Sequence, residues 1–274
     1  ALAWRISEEE FAKFDALSNL KLRASFGYTG NNTPVGAYDT QSLASTKYWY
    51  DFGGTLANGY GPNGLVYQNL SWEKSREFNV GLDFGFFGGR ISGTVDYYNK
   101  LSTDLLLERP MPLETGSSTG VMWDNVGKVR NSGIEIGLTT KNIVTKDWQW
   151  STVFSFSANK NRIVDIDGSK QDNVAAKWFI NNPINVVYGH KITGVWTAAE
   201  AAEAAKYGQY EGQAKALDVD KNYVIDQKDA VILGHAAPDW TGSFTSNLVW
   251  RDFDFSFSIY AKQGSTVSLS LIHI

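Results

Sequence analysis

The chain has 274 residues, a formal net charge of −4 and a pI near 5.5, an acidic balance that argues against a nucleic-acid partner, which needs a basic face. It has no cysteine, so a disulfide framework, thiol chemistry and a cysteine-ligated metal are all excluded. With 20% charged residues and a mean hydropathy of −0.27, it has no apolar run of the roughly 18 residues a membrane helix requires, a test that membrane strands escape because only every second side chain meets lipid.

Aromatic residues make up 14% of the chain, beside 26 glycines and only 6 prolines. That mixture suits pleated strands. The opening Ala1-Leu2-Ala3-Trp4-Arg5 has no initiator Met and no charged and apolar leader, so any export signal is expected upstream. Leu20, Leu22, Ala24, Phe26 and Tyr28 then alternate with Lys21, Arg23, Ser25 and Gly27, which predicts a strand with one apolar and one polar face.

A long polar stretch, Asn31 to Ser71, separates this strand from the next. Lys74 to Phe86 is the clearest strand, with Phe78, Val80, Leu82, Phe84 and Phe86 opposed by Asn79, Gly81, Asp83 and Gly85. A tight link at Phe87-Gly88-Gly89-Arg90 leads into Ile91 to Asp104. After the polar stretch Glu108 to Gly127 come Lys128 to Asn142, a short link at Ile143 to Asp147, and Trp148 to Arg162.

The longest connection, Ile163 to Pro238, contains the strand-like Val186 to Trp196 and an alanine-rich run beginning Thr197-Ala198-Ala199-Glu200. That run has a capping-box pattern and predicts a short loop helix. Trp240 to Trp250, a link at Arg251-Asp252 and Phe253 to Gln263 close the series. Short and long links take turns, as in an outer-membrane barrel with short periplasmic turns and long extracellular loops. Up-and-down parity then requires that Val186 to Trp196 belong to an external loop.

The predicted fold class is therefore all-β: about seven strands of a partial antiparallel up-and-down transmembrane barrel over residues 1–264, with a large external loop over about 163–238. The inner face is expected to carry Lys21, Arg23, Asn79, Asp83, Ser92, Thr94, Asp96, Glu135, Ser155 and Ser157. A secreted β-sandwich that binds carbohydrate with calcium also alternates and also carries turns. Loop asymmetry, and polar faces expected to be small (Gly, Ser, Thr, Asn) and not salt-bridged, favour the barrel.

The ordered runs Asn19-Leu20-Lys21-Leu22-Arg23-Ala24-Ser25-Phe26-Gly27, Asn69-Leu70-Ser71-Trp72-Glu73-Lys74, Gly81-Leu82-Asp83-Phe84-Gly85-Phe86-Phe87, Arg90-Ile91-Ser92-Gly93-Thr94-Val95-Asp96-Tyr97-Tyr98-Asn99 and Asn125-Val126-Gly127-Lys128-Val129-Arg130-Asn131-Ser132-Gly133-Ile134-Glu135 resemble the SusC/RagA family of TonB-linked outer-membrane transporters of Bacteroidetes. Trp4-Arg5-Ile6-Ser7-Glu8-Glu9 resembles a segment before one of that family's late barrel strands. The resemblance implies an outer-membrane location and a large plugged barrel of which this chain is a carboxy-terminal fragment. It also implies a SusD-like lipoprotein partner, energy supplied through TonB by a region outside these residues, and oligosaccharide or peptide cargo. After Lys262-Gln263-Gly264 the family pattern stops, and residues 265–274, ending Leu271-Ile272-His273-Ile274, are expected to be a non-native tail.

One stretch has metal-like spacing. Asp218, Asp220, Asn222, Asp226 and Asp229 place side-chain oxygens at loop positions 1, 3, 5, 9 and 12, with the Val224 carbonyl at 7, as a calcium loop does. Tyr223 stands where such loops carry the turn glycine, and Asp229 is shorter than the usual bidentate Glu. A calcium site and a solvated acidic turn both fit.

Tyr48, Trp49, Tyr50, Tyr60, Trp123 and Trp178 lie in the long links, where stacking on sugars competes with loop packing and the interfacial aromatic girdle. His190, His235 and His273 are scattered, and the paired Asp165 and Asp167 sit where a loop begins. No GxSxG, HExxH or phosphate-binding glycine loop occurs, so the expected activity is not enzymatic.

Overall fold

In the computed structural model, which describes residues 1–33, 36, 38–67, 70–115 and 120–267, eight strands form one antiparallel sheet in sequential order. They are β1 (Leu2–Arg5), β2 (Leu17–Asn31), β3 (Glu73–Phe86), β4 (Ile91–Thr103), β5 (Lys128–Val144), β6 (Trp148–Asp165), β7 (Trp240–Trp250) and β8 (Phe253–Gln263). All but β1 reach the 9 to 11 residues that a tilted strand needs to cross a membrane.

The links alternate as expected. Residues 6–16, 87–90, 145–147 and 251–252 turn the chain at one end, and residues 32–72, 104–127 and 166–239 connect strands at the other. The tight turns are made by left-handed backbone: Phe87, Gly88 and Gly89 have φ of 53°, 65° and 79°, and Arg251 has φ 52°.

The register shows why the sequence alternates. Lys21, Asp83, Thr94, Gly137, Ser155 and Ser243 are successive cross-strand partners, so they share one face. The adjacent row is Leu22, Leu82, Val95, Ile136, Phe156 and Gly242, on the other. All ten residues expected on the inner side fall on the first face. Polar groups on the apolar face pair within it, as lipid favours, at two places: Thr140 and Thr152 lie 2.5 Å apart, and Trp150 Nε1 donates to Ser246 Oγ at 3.0 Å.

No second layer covers the apolar face among the described residues. Phe26 is 58%, Phe78 45% and Phe257 42% exposed, values that a two-sheet sandwich core would not allow. The buried hydrophobic cluster of Val129, Ile163 and Ile166, flanked by Leu105, Trp178 and Ile180, sits instead at the long-link end. The sheet does not close, and β1 and β8 are its edges.

Three expectations need correction. The sheet has eight strands and not seven, because Leu2–Arg5 pairs with Arg23 to Ala24 and their neighbours in β2; four residues are too few to announce a period. Val186 to Trp196 is not one strand: Val186–His190 pairs with Ala230–His235, whereas Ile192–Val195 pairs with Ala214–Ala216. It does lie outside the main sheet, as parity required. The first two long links are also not plain loops, since they contain the hairpins Ala44–Phe52 with Thr55–Pro62 and Leu106–Pro110 with Val121–Asn125. The expected short helix, α1 (Ala201–Ala204), is present. Residues 268–274, most of the expected tail, lie outside the described residues.

Candidate functional site: the inner face and the acidic loop

The inner face is organised around Arg23 on β2. Its Nε donates to Asp83 at 2.9 and 3.0 Å, and its Nη2 donates to Asp96 at 2.9 and 3.0 Å, tying β2, β3 and β4 together. Lys21 Nζ approaches Asp83 at 4.0 Å. The guanidinium passes over Gly81, where an added Cβ would lie 2.6 Å from Arg23 Nη2 and against Asp96. Only glycine leaves room for this three-strand bridge.

Toward the long-link end amides join the charges, Asn131 standing in one row with the opposed Glu77 and Lys100. Tyr98 Oη donates to Asn159 Oδ1 at 3.1 Å, and Asn161 Nδ2 donates to Asn131 Oδ1 at 2.9 Å. Asn161 Oδ1 also accepts the Ile184 N–H at 2.9 Å, joining the wall to the large loop. The surface is polar, hydrogen-bonded and bidirectional in donors and acceptors, which suits contact with hydrated or amide-rich material.

The large loop folds on its own small core. Trp196, 3% exposed, packs on Tyr207 at 5.5 Å, and Lys215 Nζ lies 4.4 Å from its ring centre. Lys215 also donates to Glu200 Oε1 at 2.7 Å. That ammonium and then the Thr197 hydroxyl and N–H lower the Glu200 carboxyl to about 2.

In the acidic loop the structure brings carboxylate oxygens of Asp218, Asp220 and Asp229 within 4.8 Å of one another. Asp218 accepts the N–H groups of Lys221 at 2.6 Å and Tyr223 at 3.0 Å. Burial pushes its carboxyl upward, but these two N–H groups and the Tyr207 hydroxyl outweigh it and hold the group below the usual carboxylate range. Asp229 is fully buried and accepts from Val219 N at 2.8 Å and Asp226 N at 2.9 Å.

Tyr223 takes φ 64°, the left-handed conformation that the missing glycine would supply. Its ring meets Tyr207 edge-on at 5.3 Å, with Lys206 Nζ 5.2 Å from its centre. Asp226 stands outside the converging trio. Its carboxylate accepts from Lys228 N at 2.7 Å, while its carbonyl accepts from His190 Nε2 at 2.7 Å. The Asn222 amide donates to Asp220 Oδ2 at 3.0 Å and accepts from the Val224 N–H at 2.7 Å.

Of the link aromatics, Tyr48 and Tyr50 cover Gly61 and Gly59 in their hairpin, and Trp178 packs against the buried cluster. These contacts are packing. The ion bridge through Arg23 corrects the expectation of a polar face without salt bridges: the register sets Lys21 opposite Asp83 and puts Arg23, Gly81 and Asp96 in one row, an alignment that alternation within single strands does not reveal.

A family model described as TonB dependent receptor-like, beta-barrel, matches residues 1–269. TonB-dependent receptor SusC of Bacteroides thetaiotaomicron is 34% identical over 97% of this chain and 27% of its own length. TonB-dependent receptor P26 of Formosa agariphila is 32% identical over 97% of this chain and 28% of its own. Among solved structures, the RagAB peptide importer in its open-open state superposes with a TM-score of 0.79 at 25% identity, over 96% of this chain and 28% of that one. The chain thus spans somewhat over a quarter of the relatives it matches.

Proposed function

Since the chain belongs to the TonB dependent receptor-like β-barrel family, we propose that it forms part of the wall of an active importer of bulky nutrients, oligosaccharides or peptides, working with a SusD-like surface lipoprotein. It is an outer-membrane protein of the SusC type. The reading rests above all on the single-layer sequential sheet, with one apolar face left uncovered and one polar face bridged by Arg23. TonB would supply the energy through another region of the whole protein. Peptide cargo is supported by the likeness to the RagAB peptide importer, and oligosaccharide cargo by the hydroxyl- and amide-rich inner wall.

The test is uptake of fluorescent oligosaccharides and peptides by cells expressing the full-length protein, with and without TonB. TonB-dependent accumulation of one class, and co-purification of a surface lipoprotein, is the expected result. Accumulation that persists without TonB contradicts active import.

The acidic loop supports a second role: holding a divalent cation of the calcium type at Asp218, Asp220 and Asp229, with Asn222, Val224 and Asp226 completing the sequence pattern. The converging carboxylates and the left-handed Tyr223 support it. Calorimetric titration of the full-length protein with calcium should show heat that Asp218→Asn removes. No heat at about millimolar calcium, the weak end of such loops, rejects the site.

A further inference from the structure

The outward face changes character at its long-link end. Arg76, Leu101, Arg130 and Arg162 are successive cross-strand partners on β3, β4, β5 and β6, and they share the face of Phe78, Ile134 and Phe156. Lys160 lies on the same face, one row nearer the apolar band, opposite Ser132. One row beyond the arginines, Lys74 and Lys128 are each neutralised by an acid, Asp104 at 3.0 Å and Asp165 at 3.5 Å. The other four cations, Arg76, Arg130, Lys160 and Arg162, have no acidic partner among the described residues.

This is an expensive arrangement for a protein alone. Arg130 and Arg162 are directly opposite on adjacent strands, where like charges repel. Arg130 Nε is buried without a hydrogen-bond acceptor, and such groups ordinarily find one. Leu101, between Arg76 and Arg130, is only 9% exposed, and Arg130 and Arg162 are half-buried, whereas Arg76 and Lys160 stand exposed, their stems free to cover the apolar row beneath them.

Height decides what meets it. At a rise of about 3.3 Å per residue and a tilt of about 45°, Arg76 stands about 23 Å above Phe86, and Lys160 and Arg162 stand about 28 Å and about 33 Å above Trp148. An outer-membrane barrel's apolar band is about 25 Å tall. The cations therefore run from its outer rim to about 8 Å beyond it, the depth of a headgroup layer. Tyr28, opposite Arg76, and Trp72, whose ring lies over Gly30, add the aromatic edge of an interface. Beside Arg162, where β6 runs on past the start of β7, a crevice of about 510 Å³ opens through the sheet edge, lined by Lys160 and Arg162, by the inner-face Asn159 and Asn161, and by His235 and Asp239.

We infer that this row is a binding site for the phosphate groups of the outer-leaflet glycolipid, taken chiefly by Arg76, Arg130 and Arg162, with Lys160 beside them. Guanidinium groups grip phosphate through paired N–H donors. The acyl chains would run down the apolar band beneath, and the sugar headgroup would enter the crevice. A soluble anion would gain nothing from that band.

The test uses the full-length protein in detergent, titrated with purified lipid A and with the same lipid after phosphatase treatment, with bound lipid counted by native mass spectrometry. The wild-type protein should bind the phosphorylated form, and removing the phosphates or making Arg76→Gln, Arg130→Gln and Arg162→Gln together should weaken binding by about a hundredfold. Heat-modifiable gel migration checks that the variant barrel is folded, and the comparison of the two lipids on wild-type protein needs no variant. Equal binding of the two lipids, an unaltered affinity in the folded variant, or displacement of the lipid by inorganic phosphate would each overturn the site.

Discussion

Gly81 shows how a single atom governs the inner wall. Its hydrogen leaves space for the Arg23 guanidinium to reach both Asp83 and Asp96, so Gly81→Ala should displace the bridge and lower thermal stability of the folded barrel. Arg23→Gln should act in the same direction, by about 1 to 2 kcal/mol, because the cluster is only partly buried and solvent screens much of what a buried pair would lose. Both effects are read as a lower temperature for loss of heat-modifiable migration; an unchanged temperature in both would show that the bridge carries no stability. The charges were legible as inner-face residues from alternation, but their pairing was not, because it depends on register across three strands. At the acidic loop the spacing was legible and the glycine objection was not decisive: Tyr223 adopts the left-handed backbone itself, aided by Tyr207 and Lys206, contacts that no local pattern announces.

At the scale of elements, period-2 alternation located the seven long strands because each has one face toward an apolar medium and the other toward water. It failed at Leu2–Arg5, too short to show a period, and across Val186 to Trp196, where two strand-forming stretches flank Lys191 and pair with different partners. The face assignment predicts an asymmetry along β3. Leu82→Lys, on the apolar face, should cost about 2 to 4 kcal/mol, whereas Asn79→Lys, on the polar face, should cost well under 1 kcal/mol. Folding titrations in urea with lipid vesicles measure both, and equal costs would refute the assignment. The large loop makes a prediction of its own. Glu200 is held at about 2 against an ordinary value of 4.5, so its contribution is full above about pH 4.5 and is lost as the pH falls toward 2. Proteolysis between Thr197 and Lys215 should therefore rise on acidification through that window in wild type, and the rise should be smaller in Glu200→Gln.

For the whole molecule, the question was whether alternating strands with long links close over one another or face lipid. A sandwich would have hidden Phe78 and its neighbours between two sheets; instead one sequential sheet leaves them on an open face, and the large loop keeps its own core around Trp196 at the far end. Chain order and link parity made that architecture readable, while the link hairpins were not, the first being held by Tyr48 and Tyr50 lying over Gly61 and Gly59 of its other strand. The most direct test exploits a chain free of cysteine. Single cysteines placed in the full-length protein at positions 78 through 84 and spin-labelled in lipid bilayers should alternate, with even positions colliding with oxygen in the lipid and odd positions with a water-soluble nickel complex. Uniform water access, or uniform protection, along that run would contradict a membrane-facing sheet.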